Sequence, residues 1–243
     1  VYDLSGSVKR LLAVAEQRTE ASLREALESL GTEVLGGVRF VCSDMWRPYL
    51  NVLAEQLSQA VHVLDRFHVM QLFGKALDEI RAGEARRMKA DGYEPVLKKS
   101  RWCLLKRKEH LTDRQTVKLQ ELLQYNLQSV RAYLLREDFQ RFWEYVSPTW
   151  AGKFLDEWCR RTMRSRLDPL KKVARTLRSH RELILNWFVA RGEISAGAVE
   201  GLNNKVKLVA RKSYGFRTAR VAKLALFHNL GRLPEPNHTH RFC

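Results

Sequence analysis

The chain has 243 residues, 45% of them hydrophobic, which is enough apolar material for a buried core and excludes global disorder. Forty-three Lys and Arg stand against 27 Asp and Glu, a net charge of +16 that calls for a polyanionic partner, nucleic acid being the commonest. No run of 18 apolar residues or signal-peptide pattern occurs, so no membrane helix and no membrane partner are expected. Four cysteines, Cys42, Cys103, Cys159 and Cys243, are scattered without CxxC pairs; they read as free thiols of a reducing compartment, not a zinc site or disulfide frame.

In chain order, Val1–Leu4 and Val8–Ala15 look like two strands joined by the turn Ser5-Gly6-Ser7. Thr19 to Leu30 is helical, with Leu23, Leu27 and Leu30 on one stripe. Val38–Ser43 is a short buried strand that ends on Asp44. Pro48 to Ser58 is a helix with proline in its first turn. Ala60–Leu64 is another strand, ending on Asp65, and Arg66 to Met88 follows as a long helix. The alternation β-β-α-β-α-β-α predicts a sheet with helices on its faces.

From Pro95 to Phe188 only helical periodicity remains. Thr112 with Gln115 forms a capping box, and Ser147-Pro148 and Asp168-Pro169 mark two further helix starts. Trp102, Trp143, Trp150, Trp158 and Trp187 fall here and are expected in the core rather than in a base-stacking platform. Glu193 to Lys223 returns to a polar helix broken at Gly215, and Pro234 to Cys243 is a turn-rich tail. The organisation expected is therefore 1–92 as an α/β part, 93–190 as a helical insertion, 191–233 as a late helical segment and 234–243 as a tail.

Asp44 and Asp65 each follow a strand directly, where ligands of open α/β sheets gather. The bland reading is a turn residue or a helix cap, and it weighs more on Asp65, which can cap the helix beginning at Arg66. Glu200 shares a helix face with Asn203, Asn204, Lys207 and Arg211, opposite the apolar stripe Leu202, Val206 and Val209. Adjacent asparagines are poor helix formers, a cost that points to a role. Carboxylates converging from two strand ends and a helix would suit Mg²⁺, which prefers hard oxygen ligands and can stabilise both oxygens of a phosphodiester exchange.

Three blocks carry a resemblance: VCSDMWRPY (Val41–Tyr49), AVHVLDRFHVMQLFGKALDEIR (Ala60–Arg81) and AVEGLNNKVKLVARKSYGFR (Ala198–Arg217), with the closing LGRLPEPNHTHRFC. Together they resemble the ISL-three group of DDE-type bacterial insertion-sequence transposases. The resemblance implies an α/β RNase H-like catalytic core interrupted by an all-α insertion, mostly helical overall, that cuts and joins DNA at element ends with Mg²⁺ or Mn²⁺. It implies Asp44 and Glu200 as catalytic metal ligands. Asp65, His68, Asn203 and Asn204 become supporting residues of the metal cluster or the DNA.

Lys205, Lys207, Arg211, Lys212 and Arg217 are the phosphate-contact candidates. The partners implied are transposon ends and target DNA, a homo-oligomer that brings two ends together, and a cytoplasmic, nucleoid-associated setting. The pattern also needs a first aspartate on a strand upstream of Val1–Leu4. Asp3 lies on the second strand and does not match it. As read, the chain is N-terminally truncated and should not catalyse. The competing readings are an inactive DNA-binding remnant and an RNase H-like nuclease.

Overall fold

A computed structural model describes residues 1–5, 9–93, 96–190 and 196–232, with the backbone alone for 196–200. The chain divides into two units: residues 1–65 with 190–243, and residues 66–189.

In the first unit, β1 (Tyr2–Asp3) pairs antiparallel with β2 (Arg10–Leu11) in the register Tyr2↔Leu11 and Asp3↔Arg10. Helix α1 (Glu20–Glu28) starts at Thr19, whose hydroxyl accepts from the Ser22 N–H, as a threonine N-cap should. Helix α2 (Thr32–Gly36) has no side-chain cap, and the sequence shows only glycine punctuation around it. Strand β3 (Phe40–Ser43) leads into α3 (Arg47–Gln56), where Pro48 occupies the first turn as expected. Strand β4 (Val61–Leu64) pairs parallel with β3, in the register Phe40↔Val61 through Ser43↔Leu64.

Two small cores hold this unit. Leu27 of α1 meets Val52, Leu53 and Leu57 of α3 and its end. Leu11 of β2 meets Leu202 of α11 (Ala196–Lys212) and Leu230 of α12 (Ala219–Leu230), with Tyr2, Val206 and Phe227 at the margin. Between α11 and α12 the chain turns at Gly215, whose φ of +91° is open to glycine at no steric cost. Among the described residues the sheets are β1-β2 and β3-β4, not one continuous sheet. The mostly helical character expected is present; no single mixed sheet of the RNase H kind is seen among the described residues.

The second unit is helical: α4 (Arg66–Ala90), α5 (Arg101–Leu105), α6 (Asp113–Leu123), α7 (Gln128–Gln140), α8 (Pro148–Met163), α9 (Asp168–Ser179) and α10 (Arg181–Val189). It begins at Arg66: Val69, Phe73, Leu77 and Ile80 of α4 are buried, and α4 packs on α7 and α9. The Thr112–Gln115 capping box forms at the start of α6.

Helix α7 has no capping side chain at Leu127. Glu84 of α4, 8% exposed, takes that place: its carboxylate accepts from the N–H groups of Gln128 (2.7 Å) and Ser129 (2.8 Å) and from the Ser129 hydroxyl. A buried carboxylate is tolerated there because free N–H groups and the positive helix end surround it. Arg136 does the converse, giving its Nη1 and Nη2 protons to the carbonyls of Leu104 and Leu105 (3.0 Å each) at the end of α5. An aromatic core completes the unit, with Phe73, Phe139, Phe142 and Trp158 all fully enclosed.

Candidate active site

Because β3 and β4 run parallel, their C-terminal ends lie at one edge. The register pairs Ser43 with Leu64, and the Asp65 N–H donates to the Ser43 carbonyl at 2.9 Å, so Asp44 and Asp65 emerge side by side. Adjacent strands sit about 4.8 Å apart, close enough for two carboxylates to share one charged neighbourhood. Asp65 is 8% exposed, whereas the Asp44 side chain keeps 23% of its surface.

Asp44 is held from two directions. Its Oδ1 accepts from the Trp46 N–H at 3.0 Å, which closes an Asx turn at the start of α3. Its Oδ2 accepts from Arg18 Nη2 at 2.6 Å. The Arg18 guanidinium also lies over the Trp46 ring, 4.8 Å from its centroid, and Trp46 meets Tyr49 edge to face at 4.6 Å. Arg18 is not legible as a site residue in the sequence, since its partner lies 26 positions away and no spacing links them.

Ser43 and His62 also escape the sequence reading. Ser43 Oγ donates to the Asp44 carbonyl at 2.9 Å and stands 2.8 Å from His62 Nε2. Strand alternation could have found this pair: His62 is two residues before Leu64, on the face that Ser43 shares. The single hydroxyl proton goes to the Asp44 carbonyl, so the second bond is made when His62 carries its proton on Nε2 and donates it to Ser43 Oγ.

The donors here are hard oxygens, the kind Mg²⁺ takes. Asp44 fits best, because its exposed ion pair with Arg18 is cheap to exchange for another cation. Among the described residues no group of three His, Cys, Asp or Glu forms a ready metal cluster. Glu200 lies on α11, within the first unit, and its side chain falls outside the described residues. Asn203 and Asn204 are exposed on the same helix, and Asn203 Oδ1 accepts from the Tyr2 hydroxyl at 3.3 Å. His68 lies on α4, in the helical unit.

Asp3 is otherwise engaged. It accepts from the Ser5 N–H (3.0 Å) and hydroxyl (2.6 Å) and from Arg10 Nε (3.1 Å). These bonds, those of Ser5 first, hold its carboxyl below the usual aspartate range.

The profile of a transposase family, the ISL-three group, matches residues 1–226. The chain belongs to that family. A transposase for insertion sequence element IS1001 of Bordetella parapertussis is 30% identical over 211 residues, covering 86% of this chain and 52% of that protein. A transposase for insertion sequence element IS1557 of Mycobacterium tuberculosis (strain CDC 1551 / Oshkosh) is 27% identical over 248 residues, covering 93% and 55%. The chain thus spans about half the length of the curated relatives it matches. No solved structure matches it.

Membership of the transposase family fits the basic surface of α11. Lys205, Lys207, Arg211, Lys212 and, beyond the helix, Arg217 are all exposed and make no ion pair among the described residues. Among the described residues no helix is long and apolar enough to cross a membrane.

Burial at two thiols and at one imidazole has measurable consequences. Burial, aided by Asp65, pushes the Cys42 thiol up to about 12, and burial pushes Cys159 to about 11. Only the thiolate is nucleophilic, so iodoacetamide at neutral pH is expected to leave Cys42 and Cys159 unlabelled in the native chain and to label both in denaturant. Peptide mapping reads this, and rapid native labelling of Cys42 would contradict its raised pKa. Cys243 lies outside the described residues.

His62 is held below its ordinary 6.5 by burial. The unfolded chain therefore takes up its proton first on acidification. Stability is complete above pH 6.5 and is lost as pH falls through the folded value. The melting temperature is expected to drop between neutral pH and about pH 5, and His62→Gln to flatten part of that drop. An unaltered pH profile in the variant would remove His62 as a cause.

Proposed function

We propose that this chain carries catalytic residues of an insertion-sequence transposase, one that cleaves and joins DNA at element ends by metal-dependent polynucleotidyl transfer. The observation that carries the reading is the parallel β3–β4 pair with Asp44 partly exposed at its C-terminal edge, in a chain of the transposase family. Asp44 and Glu200 are the carboxylates assigned to the metal, with Asp65, His68, Asn203 and Asn204 in supporting places. Bound Mg²⁺ or Mn²⁺ would supply charge stabilisation for the attacking and leaving oxygens of the phosphodiester.

The chain's own residues do the rest. The Asx turn to Trp46 fixes the rotamer of Asp44, and Arg18 neutralises its charge until the carboxylate takes a metal. Lys205, Lys207, Arg211, Lys212 and Arg217 draw the DNA backbone to α11. Joining two ends calls for a homo-oligomer with DNA as its partner.

An RNase H-like core with one further strand, bearing the first aspartate upstream, completes this proposal. The two separate short sheets and the engagement of Asp3 with Ser5 and Arg10 mean that the described residues do not make that core by themselves. The same features favour a second reading for the chain by itself: it binds DNA without cutting it. Incubating the purified chain with supercoiled plasmid and Mg²⁺ tests this. DNA binding without nicking is expected. Clear nicking abolished by Asp44→Ala would refute the need for an upstream aspartate, and absence of any DNA binding would refute the transposase reading of this chain.

A further inference from the structure

We propose that the corner formed by α8 and α9 in the helical unit is a second DNA-backbone contact surface, distinct in sequence from the basic stretch on α11. This rests on the transposase reading for the identity of the polyanion.

From Arg160 to Arg181 the chain carries nine Lys and Arg and one carboxylate, Asp168. Several of these cations are already spoken for. Arg161 meets Asp138 at 2.6 Å, Lys171 meets Asp168 at 2.9 Å, Arg181 meets Asp156 at 2.9 Å, and Arg160 pairs with Glu157. Arg178 lies at the Cys159 thiol, and the remaining four, Arg164, Arg166, Lys172 and Arg175, are exposed and make no close ion pair among the described residues, Asp168 attracting Lys172 and Arg175 only at longer range. These four are the proposed phosphate ligands.

The fold leaves them no other direction. Leu170, Val173, Ala174 and Leu177 are buried and commit one face of α9 to the core. Lys172 and Arg175 therefore stand on the opposite face, one turn apart, about 4.5 Å along the axis. Arg164 and Arg166 flank the turn that joins α8 to α9. That turn is braced: the Ser165 carbonyl accepts from Arg131, and the Leu167 N–H donates to Ser165 Oγ at 3.2 Å. Arg166 itself adopts a left-handed backbone, φ 61°, which costs a residue with a Cβ on the order of 1 kcal/mol. A cation kept at a strained position, rather than glycine, fits a surface shaped for a ligand.

Energetics point the same way. Unpaired like charges within a Debye length of about 8 Å repel one another and weaken the free protein. A polyanion turns that cost into affinity, because each neutralised phosphate releases counterions. Arginine is also the side chain best matched to phosphate oxygens.

The test is the salt dependence of duplex binding by the full chain. Arg164→Gln, Arg166→Gln, Lys172→Gln and Arg175→Gln are combined in one variant. A control variant changes four other exposed cations of the helical unit, Arg86, Lys89, Lys98 and Lys99, to Gln. The corner variant is expected to melt at or slightly above the wild-type temperature, because it loses that repulsion. Its slope of log K against log salt should flatten by about 3, with affinity at 0.1 M salt reduced at least about 10²-fold. The control should lose far less.

Equal losses in the two variants would mean diffuse attraction and would overturn the proposal. So would an unchanged slope in the corner variant. If Lys207→Gln with Arg211→Gln weakens binding while the corner variant does not, the transposase reading stands and this surface falls alone. Loss of binding to anionic phospholipid vesicles, with duplex binding intact, would reassign the surface to a membrane and overturn the proposal.

Discussion

Asp44→Asn is expected to leave the fold and the DNA affinity intact while lowering metal-dependent strand joining by about 10³-fold. The substitution keeps the shape of the side chain, and Asn Oδ1 can still accept the Trp46 N–H, so the Asx turn survives. What it removes is a negative charge at the end of β3. The ion pair to Arg18 goes with it, but Arg18 is 61% exposed, and a pair of that kind is worth at most about 1 kcal/mol. Stability should therefore move little.

The chemistry should move a great deal. A metal held at the reacting phosphate stabilises the transition state by several kcal/mol, and about 4 kcal/mol corresponds to about 10³ in rate. The assay is strand joining on DNA carrying the element ends, with Mg²⁺, by the chain extended upstream in its reading frame. Activity within tenfold of the parent would remove Asp44 from the metal site. A collapse in melting temperature would recast it as a structural cap of α3. Glu200→Gln should behave alike in activity, and the two losses should not add, because residues that act as a unit fail together.

Local patterns in the sequence foretell local structure well. Thr112 and Gln115 form their capping box, Pro48 enters the first turn of α3, and Gly215 interrupts the late helix. Each of these follows from side-chain and backbone chemistry within four residues. Asp44 and Asp65 fall directly after their strands for the same reason, since a short apolar run with a polar stop is readable by itself.

Long-range partnerships are not readable in this way. Glu84 caps α7 from 44 positions upstream, and Arg18 reaches Asp44 across 26. Nothing in periodicity encodes such pairs, because they depend on how elements pack after they form. The same limit explains α4, whose stripe of Val69, Phe73 and Leu77 looks alike whether it covers a sheet or joins a bundle. The tryptophans split for a related reason. Trp143 and Trp158 are buried as expected, but Trp102 and Trp150 are more than half exposed, and Trp150 lies under the Lys153 ammonium at 4.3 Å. Helical spacing fixes which residues share a face, not whether that face is covered.

Trp158→Ala is expected to cost about 4 kcal/mol, the upper end of what truncating a single core side chain removes. Trp158 is fully buried at the centre of the aromatic core. Its ring meets Phe73 at 5.3 Å and Phe139 at 5.0 Å, both edge to face, and its Nε1–H donates to the Leu135 carbonyl at 2.9 Å. Truncation loses the transfer energy of the indole, two aromatic contacts and a hydrogen bond, and it leaves a cavity that neighbouring helices cannot close without moving. The melting temperature of the helical unit should fall by about 10 °C or more. Trp158→Phe, which refills part of the space, should lose less. Single-strand affinity measured well below the transition separates the two roles open to a buried aromatic residue in a DNA-binding chain. A core residue leaves affinity unchanged while the unit stays folded. A stacking residue would weaken single-strand binding by about 1–3 kcal/mol at every temperature, and that outcome would mean that the aromatic core opens to receive a base.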